Sequence, residues 1–247
     1  MRFIIMHKTN AHWESGAIPD AQLIARVGAL LGEMAKAGVL EAGEGLRASS
    51  QGVRLRVGDG ARTITPGPFE PGDDAHAHRS LGVSGFSVVR SASLDDAVEW
   101  ATRQAEITGD VEIDIRPVTE PWDIGMRPPP SDTATRRYMV LRKGSPASES
   151  GRTPSAATRS RLSQLIDQAT AEGTHLVTET MAPSRRGRRY KNSSAGVTYF
   201  DGPLIETKEL LGGYVIVTAA SLEDACRWAE KYLAVVDADE VDVREVE

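Results

Sequence analysis

An internal repeat constrains this chain more than any other feature. Arg2-Phe3-Ile4-Ile5 aligns with Arg137-Tyr138-Met139-Val140 at an offset of 135, and the register holds without a gap through Leu46 and Met181. Pro19/Pro154, Leu30/Leu165, Gly38/Gly173 and Glu44/Glu179 all fall on it, and Gly67-Pro68 returns as Gly202-Pro203. The offset then drops to 128, which places a seven-residue insertion between Pro68 and Gly85. In the new register Ser93 to Ala97 matches Ser221 to Ala225, Trp100 matches Trp228, and Glu112 to Arg116 matches Glu240 to Arg244. Two copies of one supersecondary unit are therefore expected, residues 1–118 and 137–247. Residues 119–136 between them contain Pro121, Pro128, Pro129 and Pro130 and read as a linker, because proline cannot extend a helix or a central strand.

Each copy reads as β-α-β-β-α-β with an added hairpin. Short apolar runs at Phe3 to Met6 and Tyr138 to Leu141 predict buried strands. The next segment carries Leu23, Val27, Leu30, Leu31 and Met34 on one helical face, and Thr158, Leu162, Leu165, Ile166 and Ala169 repeat the spacing. Pro19 and Pro154 are expected in the first helical turn, with Gly38 and Gly173 just past the last. Gly58-Asp59-Gly60 between two alternating runs predicts a hairpin, with a counterpart from Arg188 to Phe200. Strands at Phe86 to Val89 and Tyr214 to Val217 lead into Ser93/Asp96 and Ser221/Asp224, which have the spacing of capping boxes. The expected class is α+β, with tandem ferredoxin-like units whose sheets pack face to face as a pseudo-dimeric barrel.

Composition narrows function mainly by exclusion. With 40% hydrophobic residues, 26% charged and a net charge of -6, the chain reads as an ordinary globular protein without the basic surface of a general nucleic-acid binder. No apolar run has membrane-spanning length, so a cytoplasmic location without membrane association is expected. The single cysteine, Cys226, falls on the apolar face of the last helix and reads as a small core residue.

Asp201-Gly202-Pro203-Leu204-Ile205-Glu206-Thr207-Lys208-Glu209-Leu210-Leu211-Gly212-Gly213-Tyr214 is similar to the signature of the DGPF branch of the YCII-related family. The first half resembles the same family through Ala37 to Leu40, Gly43 to Leu46 and Gly67-Pro68-Phe69. The resemblance covers nearly all of both copies. It implies two fused copies of a domain that forms a dimeric α+β barrel, a recurring histidine and aspartate at a candidate site, and an association of some members with sigma factors. Repeat one has Pro66 where the signature has its aspartate, and repeat two has no histidine along its first helix. A site would then draw on both halves.

The candidate catalytic residues are Asp201 and His7. Asp201 at a strand end suits a general base or ligand, and Asp-Gly-Pro is equally a turn sequence. His7 closes the first strand, either at a barrel mouth or as a hydrogen-bonded structural residue. Candidate substrate-binding residues are Glu44 and Glu179, which recur in matching strands, and Glu206 and Lys208, two apart. His76-Ala77-His78 with Asp73-Asp74 has metal-ligand types, but reads as an exposed loop, and no metal is assigned. Arg185 to Arg189 reads as a solvated hairpin base. The leading expectation is a small polar molecule bound or transformed in a cleft between the repeats. The rival is a non-catalytic interaction module, with a sigma factor as a possible partner and further homodimerisation open.

Overall fold

The computed structural model of the chain describes residues 1–58, 60–69, 82–131, 134–204, 210–236 and 238–247. The first repeat runs β1 (Arg2–Lys8), α1 (Ala11–Glu14), α2 (Ala21–Lys36), β2 (Leu40–Gly45), β3 (Val53–Gly58), β4 (Ala61–Pro66), β5 (Val83–Ser91), α3 (Leu94–Thr108) and β6 (Glu112–Pro117). The second runs β7 (Arg136–Lys143), α4 (Pro146–Glu149), α5 (Ala156–Ala171), β8 (His175–Thr180), β9 (Arg188–Ser193), β10 (Gly196–Asp201), β11 (Leu211–Thr218), α6 (Leu222–Val235) and β12 (Glu240–Val246). Ser93 and Asp96 form a complete capping box on α3, and Gly38 and Gly173 take φ of +70° and +71° past α2 and α5. Pro19 and Pro154 lie ahead of the caps rather than inside the first turn. The Asp20 carboxylate accepts from Leu23 N at 2.7 Å and Ser155 from Thr158 N at 3.1 Å, so the helices start there.

Two antiparallel six-stranded sheets form, in the orders β10-β9-β12-β1-β11-β2 and β4-β3-β6-β7-β5-β8. Each repeat was expected to build its own sheet, yet each sheet draws on both. The β1-α2-β2 arm of repeat one sits beside β11 and β12, and the β7-α5-β8 arm of repeat two sits beside β5 and β6. The registers are equivalent: Phe3 faces Val217 as Tyr138 faces Val89, and Ile4 faces Ile216 as Met139 faces Val88. A duplicated sequence offers each first strand two partners of matching pattern, so periodicity cannot distinguish pairing within a repeat from pairing across repeats.

Strand alternation distributes the core over three layers. Phe3 and Ile5 face α2 and α6, and Tyr138 and Val140 face α3 and the end of α5. Ile4, Met6, Phe86, Val88, Met139, Leu141, Tyr214 and Ile216 fill the space between the sheets. Cys226 is buried in the α6 layer. No described helix is long and apolar enough to cross a membrane.

Buried ion pairs hold the exchanged arms in place. Lys8 Nζ lies 3.0 Å from Asp242, which also accepts from Arg189 at 2.6 and 2.8 Å. The mirror set joins Lys143 Nζ to Asp114 at 2.9 Å and Arg54 to the same carboxylate at 2.6 and 3.1 Å. Burial works to raise both carboxyls, but their cations outweigh it and hold them below the usual range. Arg189, expected at a solvated hairpin base, is buried in this set because the β9–β12 pairing places it opposite Asp242.

Candidate functional site

One cavity of about 460 Å³ lies on the helix side of the first sheet. The N-terminal half of α2 forms one wall through Leu23, Ile24, Val27 and Leu31, while its other half packs into the core through Leu30 and Met34. Trp13 of α1, Ile18 and Val236 extend that wall, and Gly43, Val215 and Gly212 contribute to the lining on the sheet side. Residues 119–126 close the rim rather than serving only as a spacer. There Pro121, Ile124 and Met126 line the cavity, Thr119 N donates to Gly45 O at 2.8 Å, and Asp123 pairs with Arg136.

His7 lines this space together with Glu44, Arg47 and Asp123. Odd-numbered β1 residues point to the helices, so its ring reaches Tyr232 of α6, with Nδ1 2.8 Å from the tyrosine Oη. Burial, aided by the Lys8 and Arg116 charges, pushes the imidazole down to about 4, so it is neutral near pH 7. Lys8 is tied to Asp242, and Arg116 donates to Glu14 at 3.1 Å and to Leu211 O at 2.6 Å. Burial also raises the Tyr232 phenol, so that side chain is protonated. Gly212 and Gly213 make room for the ring. A Cβ at Gly212 would stand 2.6 Å from His7 Nε2, and one at Gly213 2.8 Å from its Cε1.

The other sequence-derived candidates separate. Glu44 borders the cavity and bonds Arg137, and burial raises its carboxyl more than Arg137 lowers it. It stands opposite Tyr214 in the β2–β11 pairing, so its side chain shares the face turned toward the second sheet. Glu179 is its mirror, buried against Arg2 at 2.5 and 2.9 Å, away from the cavity. Asp201 lies at the end of the outer strand β10, 62% exposed, and accepts from Arg188 Nε at 2.6 Å. Its Gly-Pro neighbours carry the tighter constraint: a Cβ at Gly202 would fall 1.9 Å from Ser184 O, and Gly67 meets Ser49 O at the same distance. Glu206 and Lys208, like Asp73, Asp74, His76 and His78, lie outside the described residues. Among the described residues no group of three or more His, Cys, Asp or Glu is placed to hold a metal ion.

The pseudo-symmetric position in the second sheet carries a different set of residues. Arg142 occupies the place of His7, with Nη2 3.0 Å from Glu179 O and 3.1 Å from Thr180 Oγ1. A Cβ on Gly85 would lie 2.0 Å from that nitrogen. Gln104 replaces Tyr232, and α5 presents Thr158 and Arg159 where α2 presents Leu23 and Ile24. Residues 136–247 match the YCII-related domain. No curated protein matches the chain. The matched YCII-related stretch contributes Gly212, Tyr214, Val215, Tyr232 and Val236 to the cavity, while His7 and the α2 wall come from outside it. The sequence signals for this site were the glycine pair 212–213 and the longer apolar stripe of α2; Tyr232 and residues 119–126 carried none.

Proposed function

We propose that the protein binds a small organic molecule with a mainly apolar body in the cavity beneath α2, using His7 as its polar contact. The observation that carries this reading is a neutral histidine, braced by Tyr232, whose Nε2 has no partner among the described residues and borders the cavity. The volume lies within the range of small-molecule sites, about 300–1,000 Å³, and the apolar lining favours burial of an apolar body over the polar one expected from sequence. Asp201 then acts as a structural partner of Arg188, and the Asp-Gly-Pro segment as a packing motif. The chain as a whole is read as two fused YCII/DGPF-type copies, each ferredoxin-like, which exchange their first β-α-β arms to make a pseudo-dimeric barrel with an open site beneath α2.

Titration calorimetry with 2-acetylnaphthalene tests the reading. A Kd on the order of 0.1 mM is expected from about 0.4 kcal/mol per non-hydrogen atom. Val27→Trp, which fills the cavity, should abolish the heat of binding while the variant stays folded; undiminished binding by this variant refutes the assignment.

A second reading, docking to a protein such as a sigma factor, draws on the outer hairpin, where Val197, Tyr199 and Phe200 are exposed. It predicts that a Tyr199→Ser, Phe200→Ser variant loses a partner that the unaltered protein retains on a column; equal retention by both removes this reading.

A further inference from the structure

The ligand chemistry follows from the His7 proton. A neutral imidazole has one N–H to place on two nitrogens, and Tyr232 Oη, 2.8 Å from Nδ1, decides between them. The phenol has no other partner among the described residues. If Nδ1 carried the proton and donated to the phenol oxygen, the buried tyrosine proton would be left without an acceptor, which is unfavourable. The tyrosine therefore donates to Nδ1, and the ring proton sits on Nε2.

Nε2 in turn has no acceptor among the described residues and borders the cavity, held against Gly212 and Gly213. Building on the binding reading above, we infer that the cavity selects an apolar molecule carrying a neutral oxygen acceptor, of ketone, amide or ester type, which takes the hydrogen bond from His7 Nε2–H. A ligand cation would meet a donor at His7, with Lys8 and Arg116 nearby, and the lining carboxylates Glu44 and Asp123 are already paired with Arg137 and Arg136. A ligand carboxylate would gain one hydrogen bond at His7 among mainly apolar walls, because Lys8 and Arg116 are already paired with Asp242 and Glu14, and Arg47, which also lines the cavity, is held by Gln51 at 3.2 Å and Asp123 at 3.6 Å.

Two measurements test this on the full-length protein. Long-range ¹H–¹⁵N correlation of the imidazole rings, with His7 assigned by its loss in His7→Phe, should show the Nε2–H tautomer near about pH 7. An Nδ1–H tautomer overturns the inference. Calorimetry then compares 2-acetylnaphthalene with 2-isopropenylnaphthalene, which replaces the carbonyl oxygen by a methylene group. The preference for the ketone over the alkene should fall about tenfold from the unaltered protein to His7→Phe, the worth of one hydrogen bond. An unchanged preference, with both probes bound, overturns the acceptor inference and leaves the binding reading standing. Failure of both probes to bind overturns the binding reading, and this inference with it.

Discussion

Acidification should expose the burial of His7 as a defined loss of stability. The unfolded chain protonates this imidazole near 6.5 and the folded protein only near 4, so between those values the unfolded state binds more protons. Stability is therefore undiminished above the unfolded value and falls as the pH drops through this window. The full shift corresponds to about 3 kcal/mol at 1.36 kcal/mol per pH unit, and about 2 kcal/mol of it should be lost between about pH 7.5 and about pH 5. His175, whose ring is lowered by burial, adds a loss of the same sign, and Glu44, raised by burial, opposes it at the acid end. Comparison with His7→Phe cancels both. At about pH 7.5 the variant should be less stable by about 1–3 kcal/mol, because Tyr232 loses its partner. At about pH 5 that deficit should shrink by about 2 kcal/mol. Urea unfolding at the two pH values, with unchanged m-values, measures it. A deficit constant to within about 0.5 kcal/mol would mean that His7 titrates as in water and that its surroundings are not as described.

Other substitutions separate packing from binding. Asp201→Ala should cost under about 1 kcal/mol, as an exposed ion pair does, whereas Gly202→Ala should cost over about 4 kcal/mol or prevent folding, because its Cβ meets the Ser184 carbonyl; thermal melts of both variants check the contrast. Asp242→Ala leaves Lys8 and Arg189 buried without their shared carboxylate and should destabilise by about 3–5 kcal/mol in denaturant titrations. Val27→Trp should change stability by less than about 2 kcal/mol, since α2 stands off the sheet at that point, and circular dichroism melts report it.

The repeat, most elements and several caps were legible because they depend on local pattern: Leu30 and Met34 at helical spacing, Ser93 three residues before Asp96, Gly38 at a positive φ. The exchange of arms was not, since β1 matches β11 and β5 by the same logic that created the repeat. His7 was visible in the sequence, but its contact with Tyr232, 225 residues away, was not. Gly67-Pro68 recurs as Gly202-Pro203 because each glycine passes against a serine carbonyl, Ser49 or Ser184, a backbone constraint that resembles a functional signature when only residue identities are visible. The asymmetry between the halves was present in the sequence as His7 against Arg142 and Leu23-Ile24 against Thr158-Arg159. Its meaning required knowing that α2 stands over the one residue and α5 over the other.

On the binding reading, the ligand enters the cavity under α2 and not the space under α5. Methyl-resolved ¹³C NMR during titration with 2-acetylnaphthalene tests it most directly. Saturable shifts are expected at Leu23, Ile24, Val27 and Leu31, with Leu162 and Ile166 on α5 unmoved. Shifts at Leu162 and Ile166, or confined to Val197 on the outer hairpin, would contradict it.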